Sequence, residues 1–344
     1  MSNRMNSYER GVRVLVRFLL VCGAAGACTP APATDTPTNA GCIIAYDENV
    51  WCNFVSYGAG PWQNGQIVRN PVPGLHPTII VVHGGAWNTE TFDVGTVPAL
   101  LPGSAFHSGP VPSPISEWLM NRVVAGDGVF AINYRMADLG DPATQAPGAV
   151  LDVKLAVRWV KQHGSLYGLD PTRITLFGVS AGGQLTVAAA STIGVEGWEP
   201  AEIPEQTSTV ESVVSLAGVY DFSVEMLDPR TASPLDMAGA VAYLGCTPPG
   251  AVAPPDPCTD LATTPASPVN NVTSAGFHIP SLFLVTAGRS DPGDQVVSSA
   301  QYASYAAALT AAGRPFADCD IAGGNHFDLA WCLPQVGAWL DALP

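Results

Sequence analysis

Positive charge is scarce in this chain: 14 lysines and arginines stand against 29 aspartates and glutamates, for a formal net charge of −15. Nucleic acids and anionic membranes are recognised through basic patches that displace counterions, so this balance argues against both as partners. Acidic substrates would be repelled at long range, which favours a neutral one. Long apolar runs are lacking as well, since Phe18–Ala27 falls short of the ~20 residues that cross a bilayer. No CxxC pair and no His/Cys cluster supplies the spacing of a zinc site, so no metal is expected. Internal repeats and a mid-chain linker are also absent, which points to one folded domain over 42–344.

What is present is a large reserve of apolar residues, 47% of 344, against 12% charged. That ratio supports a sizeable buried core and excludes wholesale disorder. At the N-terminus Arg4, Arg10, Arg13 and Arg17 precede the run Phe18–Ala27, which ends in the small residues Ala25-Gly26-Ala27. This reads as an export signal over 1–27; the alternative is an ordinary N-terminal helix interrupted by Glu9 and Arg17. Cys28 follows at once and opens a Pro/Thr/Ala-rich tether over 28–41, an arrangement resembling a lipidated bacterial lipoprotein, although Ala25 stands where that motif usually has Leu. The expected location is therefore secreted or periplasmic, with a lipid anchor at Cys28 as the variant.

Six cysteines lie beyond residue 28 and form three sequence-local pairs, Cys42/Cys52, Cys246/Cys258 and Cys319/Cys332. An even count behind an export signal favours disulfides. Six cysteines allow 15 pairings; local pairing is expected because each pair brackets one short loop. The alternative for Cys319 and Cys332 is a pair of thiols packing as small hydrophobes.

Along the chain, short apolar runs alternate with helical stretches, the signature of an α/β fold with a mostly parallel central sheet and helices on both faces. Strands are expected at Thr78–His83, Val129–Tyr134, Ile174–Phe177, Ser212–Ala217 and Leu282–Thr286. Helices are expected at Ala149–His163, Ala181–Thr192, Val297–Ala312 and Leu333–Leu343. Two stretches break the rhythm, Asn88–Pro114 and the proline-rich Ser223–Phe277, which holds one cysteine pair. Long excursions in a compact domain are usually lids or binding loops, and the second is assigned as a disulfide-bearing cap insertion.

Gly178-Val-Ser-Ala-Gly182 sits between an expected strand and an expected helix, the context that makes G-x-S-x-G a nucleophile elbow presenting Ser180. His83-Gly-Gly-Ala-Trp87 ends an earlier strand, where such folds place the loop whose N–H groups complete an oxyanion hole. Candidate donors are Gly84, Gly85 and Ala86, with Ala181 after the nucleophile. The chain order Ser, acid, His requires a base late in the sequence, and only His278 and His326 follow Ser180. His278 precedes the strand Leu282–Thr286 and would fall on the wrong side of the sheet; His326 is well placed. The acid should follow that same strand, which leaves Asp291 and, as the alternative, Asp294. Asp221 reads as a turn cap, while Asp318, Asp320 and Asp328 are too near His326 in sequence to orient it.

From about Cys42 onward the chain resembles the esterase/lipase branch of the α/β-hydrolases, which includes hormone-sensitive-lipase-like carboxylesterases, acetyl-xylan and feruloyl esterases, and kynurenine formamidases. The likeness rests on His83–Trp87, Asn133-Tyr-Arg135, Asp170–Ile174, Gly178–Gly183, Ala266-Ser-Pro268 and Asn325-His-Phe327, in family order. It implies hydrolysis of small neutral esters without a cofactor, with ester-decorated carbohydrate among the candidate substrates. An aryl-amide or formamide hydrolase is the alternative. A binding protein on the same scaffold would be expected to lack Ser, His or acid, and all three are present.

Overall fold

The computed structural model describes residues 50–88, 114–223, 234–247, 257–287, 296–326 and 328–344. The chain divides into two compact units, 1–38 and 39–344, and every described residue belongs to the second. Cys28, Cys42, Asp291 and Asp294 lie outside the described residues, as does the expected export signal.

Among the described residues eight strands form one sheet: β1 (Trp51–Ser56), β2 (Asn64–Arg69), β3 (His76–Val82), β4 (Gly128–Ile132), β5 (Leu169–Val179), β6 (Ser212–Leu216), β7 (Ser281–Ala287) and β8 (Ala317–Ile321). Their spatial order is β1-β2-β4-β3-β5-β6-β7-β8. β2 runs antiparallel to both β1 and β4; from β4 to β8 in that order every pairing is parallel. Helices α1 (Pro114–Ala125), α2 (Gly148–His163), α3 (Ala181–Ser191), α4 (Pro234–Leu244), α5 (Ser299–Ala311) and α6 (Leu333–Asp341) fill the connections.

Strand alternation sorts the core into two apolar clusters. Ile80, Val82 and Leu176 face α2, α3 and α5 with Trp159, Leu185 and Tyr305, whereas Ile79, Val81 and Phe177 face α1 and α6 with Leu119, Val123 and Val336. β4 and β6 are buried throughout, as strands covered on both faces must be. Each such Val, Leu, Ile or Phe side chain contributes about 1.5–3 kcal/mol on leaving water.

The structure lengthens the expected strand Ile174–Phe177 to Leu169–Val179 and adds the antiparallel hairpin β1–β2 at one edge. The stretch 223–277 does connect β6 to β7, and it contains α4 and the bond Cys246–Cys258, whose Cα atoms are 5.0 Å apart. Cys319 and Cys332 are bonded as well, with a Cα separation of 5.9 Å. Cys52 is disulfide-bonded too.

Candidate active site

Parallel strands end on a common edge, and the register brings Val82, Ile132, Val179, Leu216 and Ile321 to that carboxyl edge. Crevices outside the carboxyl ends of strands are where open α/β sheets hold ligands. Ser180 occupies the one residue between β5 and α3 and is half-buried. Its backbone has φ 57° and ψ −122°, a left-handed conformation that costs a non-glycine residue on the order of 1–3 kcal/mol. The Ser180 N–H donates to the Leu216 carbonyl at 2.7 Å, which fastens the turn to β6.

Close backbone approach explains both glycines of the motif. A β-carbon on Gly178 would lie 2.2 Å from the Gly182 carbonyl oxygen, and one on Gly182 would lie 2.2 Å from that of Val82. Any side chain at either position forces strand and helix apart.

The loop after β3 lies against this turn. A β-carbon on Gly84 would come 3.2 Å from the Ser180 β-carbon. Gly85, Ala86 and Trp87 then follow with positive φ values of 110°, 50° and 62°. His83 is buried and its ring stacks on Tyr134 at 4.3 Å, while the Tyr134 hydroxyl donates to the His83 carbonyl at 3.0 Å. Burial pushes the Tyr134 phenol far above its ordinary value, so it stays a neutral donor. Thus Gly84, Ser180 and Ala181 are gathered at one spot, with Gly85 and Ala86 directly continuing the loop.

His326 is half-buried in the turn after β8 and so emerges at the same carboxyl edge as Ser180. The turn is closed by Gly324 N–H on the Ile321 carbonyl, at 2.9 Å, and by Asn325 N–H on the Asp328 carboxylate, also at 2.9 Å. Asp328 is therefore a turn cap, and Asp318 accepts from the Tyr302 hydroxyl. His278 stands exposed before β7, at the opposite edge, with its N–H on the Ala190 carbonyl. Asp221 caps its turn by accepting from the Ser223 N–H at 2.9 Å, and it also takes the Ser304 hydroxyl at 2.6 Å. The Cys319–Cys332 bond brackets the His326 turn.

Among the described residues no group of three His, Cys, Asp or Glu side chains could hold a metal ion. A cavity of about 590 Å³ lined by Thr78, Arg122, Asp127, Thr175 and Ser212 opens at the amino edge, away from Ser180. Its Arg122 is already paired with Asp127 and Asp341.

A profile of the BD-FAE family, an α/β-hydrolase esterase family, matches residues 70–247, about half the chain, spanning the Gly84 loop and the Ser180 turn. The chain belongs to the BD-FAE family. This BD-FAE chain is 35% identical over 144 residues to "Probable carboxylic ester hydrolase LipM" of Mycobacterium tuberculosis, covering 41% of the chain and 32% of LipM. "Esterase LipQ" of the same organism is 29% identical over 288 residues, covering 80% of the chain and 57% of LipQ. The chain thus spans from a third to somewhat over half the length of these curated relatives. Among solved structures, a truncated carbohydrate esterase from gut microbiota superposes with a TM-score of 0.60 at 21% identity, covering 86% of the BD-FAE chain and 96% of its own, which establishes the shared fold.

Two contributors to the site gave no signal in the sequence. Gln184, one turn into α3, and Tyr243 on α4 both reach Trp87. No motif or spacing singles out an amide inside an apolar helix or a tyrosine in a proline-rich insertion.

Proposed function

We propose that this chain is a serine carboxylic-ester hydrolase acting on small neutral esters. The observation that carries this reading is the contact of Gly84 with the strained Ser180 turn, which sets the loop after β3 against Ser180 at the carboxyl edge. Ser180 Oγ attacks the ester carbonyl while His326 takes its proton. The N–H groups of Gly85, Ala86 and Ala181 receive the oxyanion of the tetrahedral intermediate, with Gly84 giving the loop its close approach. His326 then protonates the departing alcohol, and water, activated by the same imidazole, releases the acid. Asp291, or Asp294 in its place, holds the imidazole in the correct tautomer. No cofactor takes part.

The names of LipM and LipQ support ester hydrolysis, and the carbohydrate-esterase neighbour favours esters carried on sugars among the neutral candidates. The disulfides Cys246–Cys258 and Cys319–Cys332, with the bonded Cys52, support the expected export, because such bonds persist in oxidising compartments. Sequencing the N-terminus of the mature protein tests that part: a start at Cys28 with an acyl group supports the anchor, and an intact Met1 overturns export.

The catalytic reading is tested by fluorophosphonate labelling of the chain and of Ser180→Ala, beside a panel of p-nitrophenyl acyl esters, methyl ferulate, acetylated xylan and N-formylkynurenine. Turnover of the short esters with labelling confined to Ser180 is the expected result. Hydrolysis of the formamide alone would replace it with the amidase reading.

A further inference from the structure

We propose that Gln184 is a positioning residue: its side-chain amide fixes the strained loop Gly85–Trp87 against the nucleophile helix and ties that loop to α4. The inference rests on the reading of this loop as the oxyanion hole.

The loop needs an external brace. Ala86 and Trp87 carry β-carbons in the left-handed region, a conformation that surrounding structure must impose. Trp87 is buried, and its indole N–H donates to Gln184 Oε1 at 2.9 Å. Gln184 has no exposed surface, and its Nε2 donates to the Ala266 carbonyl at 2.9 Å and to the Tyr243 hydroxyl at 3.2 Å. The orientation of this amide is dictated by chemistry, because an indole N–H can only donate and a carbonyl can only accept.

Each partner of Gln184 belongs to a part of the proposed site. Its own N–H donates to the Ser180 carbonyl at 3.1 Å, so it stands one helical turn below the nucleophile. Tyr243 stacks on the Trp87 ring, with centroids 5.1 Å apart and planes 13° from parallel. On the same helix, Gly239 lies so close that a β-carbon there would be 1.9 Å from the Ala86 carbonyl oxygen. The loop is therefore clamped between α3 and α4, and the Gln184 amide is the polar link joining the two sides. Without it, the Trp87 N–H and the Ala266 carbonyl lose their partner in a dry interior, and the loop relaxes toward ordinary backbone angles.

The test uses the full chain and three variants: Gln184→Met, which keeps the shape and removes the amide; Gln184→Glu, which keeps an oxygen for the indole; and Trp87→Phe, a smaller lesion should the methionine variant fail to fold. Steady-state hydrolysis of p-nitrophenyl acetate, affinity for a trifluoromethyl-ketone transition-state analogue and thermal unfolding are read together. Gln184→Met should lower kcat about 10- to 100-fold with KM within about threefold, weaken the analogue by a like factor, and still take up fluorophosphonate at Ser180. Gln184→Glu, which replaces the donor to the Ala266 carbonyl by an acceptor, should lower kcat as Gln184→Met does, and adding Gln184→Met to Trp87→Phe should cost little beyond the worse single change. Unchanged kcat and analogue affinity in folded Gln184→Met or Trp87→Phe would overturn the inference. A parent chain that takes up no fluorophosphonate would instead bring down the hydrolase reading and this inference with it.

Discussion

Gly182 and His83 touch through their backbones: a β-carbon on Gly182 would lie 2.4 Å from the His83 carbonyl oxygen. The helix that carries Ser180 and the loop that carries Gly84 are thus in direct contact, with no side chain between them. Gly182→Ala should therefore cost about 1–3 kcal/mol in stability by overpacking and lower kcat by at least tenfold. Thermal melts and ester turnover check this. A variant as stable and as fast as the parent would mean that the two segments can part freely.

The backbone strain at Ser180 separates chemistry from stability. Ser180→Ala and Ser180→Gly should both abolish turnover and fluorophosphonate uptake, because each lacks the hydroxyl. They should differ in stability: glycine relieves the positive φ of 57°, so Ser180→Gly should unfold about 1 kcal/mol later than Ser180→Ala. Equal midpoints would show that the turn is not strained.

The proposed base and its candidate acids can be ranked by kinetics. His326→Ala should remove nearly all activity with the fold intact. Asp291→Asn should lose on the order of 10⁴ in kcat and Asp294→Asn little, by analogy with other serine hydrolases. The reverse order moves the role to Asp294.

A disulfide brackets the His326 turn, joining residues 13 apart in sequence. A loop of that size contributes about 3 kcal/mol in the chain-entropy account. The Cys319→Ser/Cys332→Ser pair should lose stability of that order, and it should lose activity at temperatures where the fold still persists. Activity that tracks the folded fraction alone would limit the bond to a structural role.

A buried ionic cluster away from the site predicts the pH response of stability. Lys154 Nζ donates to the Glu199 carboxylate at 2.7 Å and to the carbonyls of Thr192 and Trp198, while Arg158 takes the other Glu199 oxygen at 2.5 Å. Burial draws the Glu199 carboxyl upward, but the bonds from Lys154, the Gly194 N–H and Ser208 outweigh it and hold the group below its ordinary value. The contribution of Glu199 is thus present above pH ~4.5 and lost as pH falls through the folded value. Burial brings the Lys154 ammonium down to about 8 against the pull of Glu199, so its share of stability rises between about pH 8 and 10.5. Glu199→Gln should cost about 3 kcal/mol at pH 7 and flatten the acid limb; Lys154→Met should flatten the alkaline one. Denaturant melts at pH 4, 7 and 9.5 decide, and identical pH profiles for parent and variants would refute the assignment.

Which parts could be read from residues alone follows from how local their causes are. Strands β3 to β7 announce themselves because a strand covered on both faces is a continuous apolar run. The hairpin β1–β2 does not: the outer half of β1 alternates with solvent, and β2 carries Gly65 and Gln66, the latter satisfied by a long-range bond to Cys52 Sγ. Ser180 is legible because its turn needs Gly178 and Gly182 within two residues. The choice between Asp291 and Asp294 depends on reach across the sheet, which spacing does not encode. Nothing local reveals that Ala86 and Trp87 adopt positive φ, since neither is glycine and the cause is packing from α3 and α4.

The edge position of β8 sets a schedule for synthesis. Synthesis proceeds from the N-terminus, so the residues of the Ser180 turn and the Gly84 loop are made before the His326 segment. β8 pairs only with β7, and His326 follows it near the end of the sequence. A growing chain thus carries its proposed nucleophile long before its proposed base. In the proposed mechanism hydrolysis therefore waits on the docking of β8.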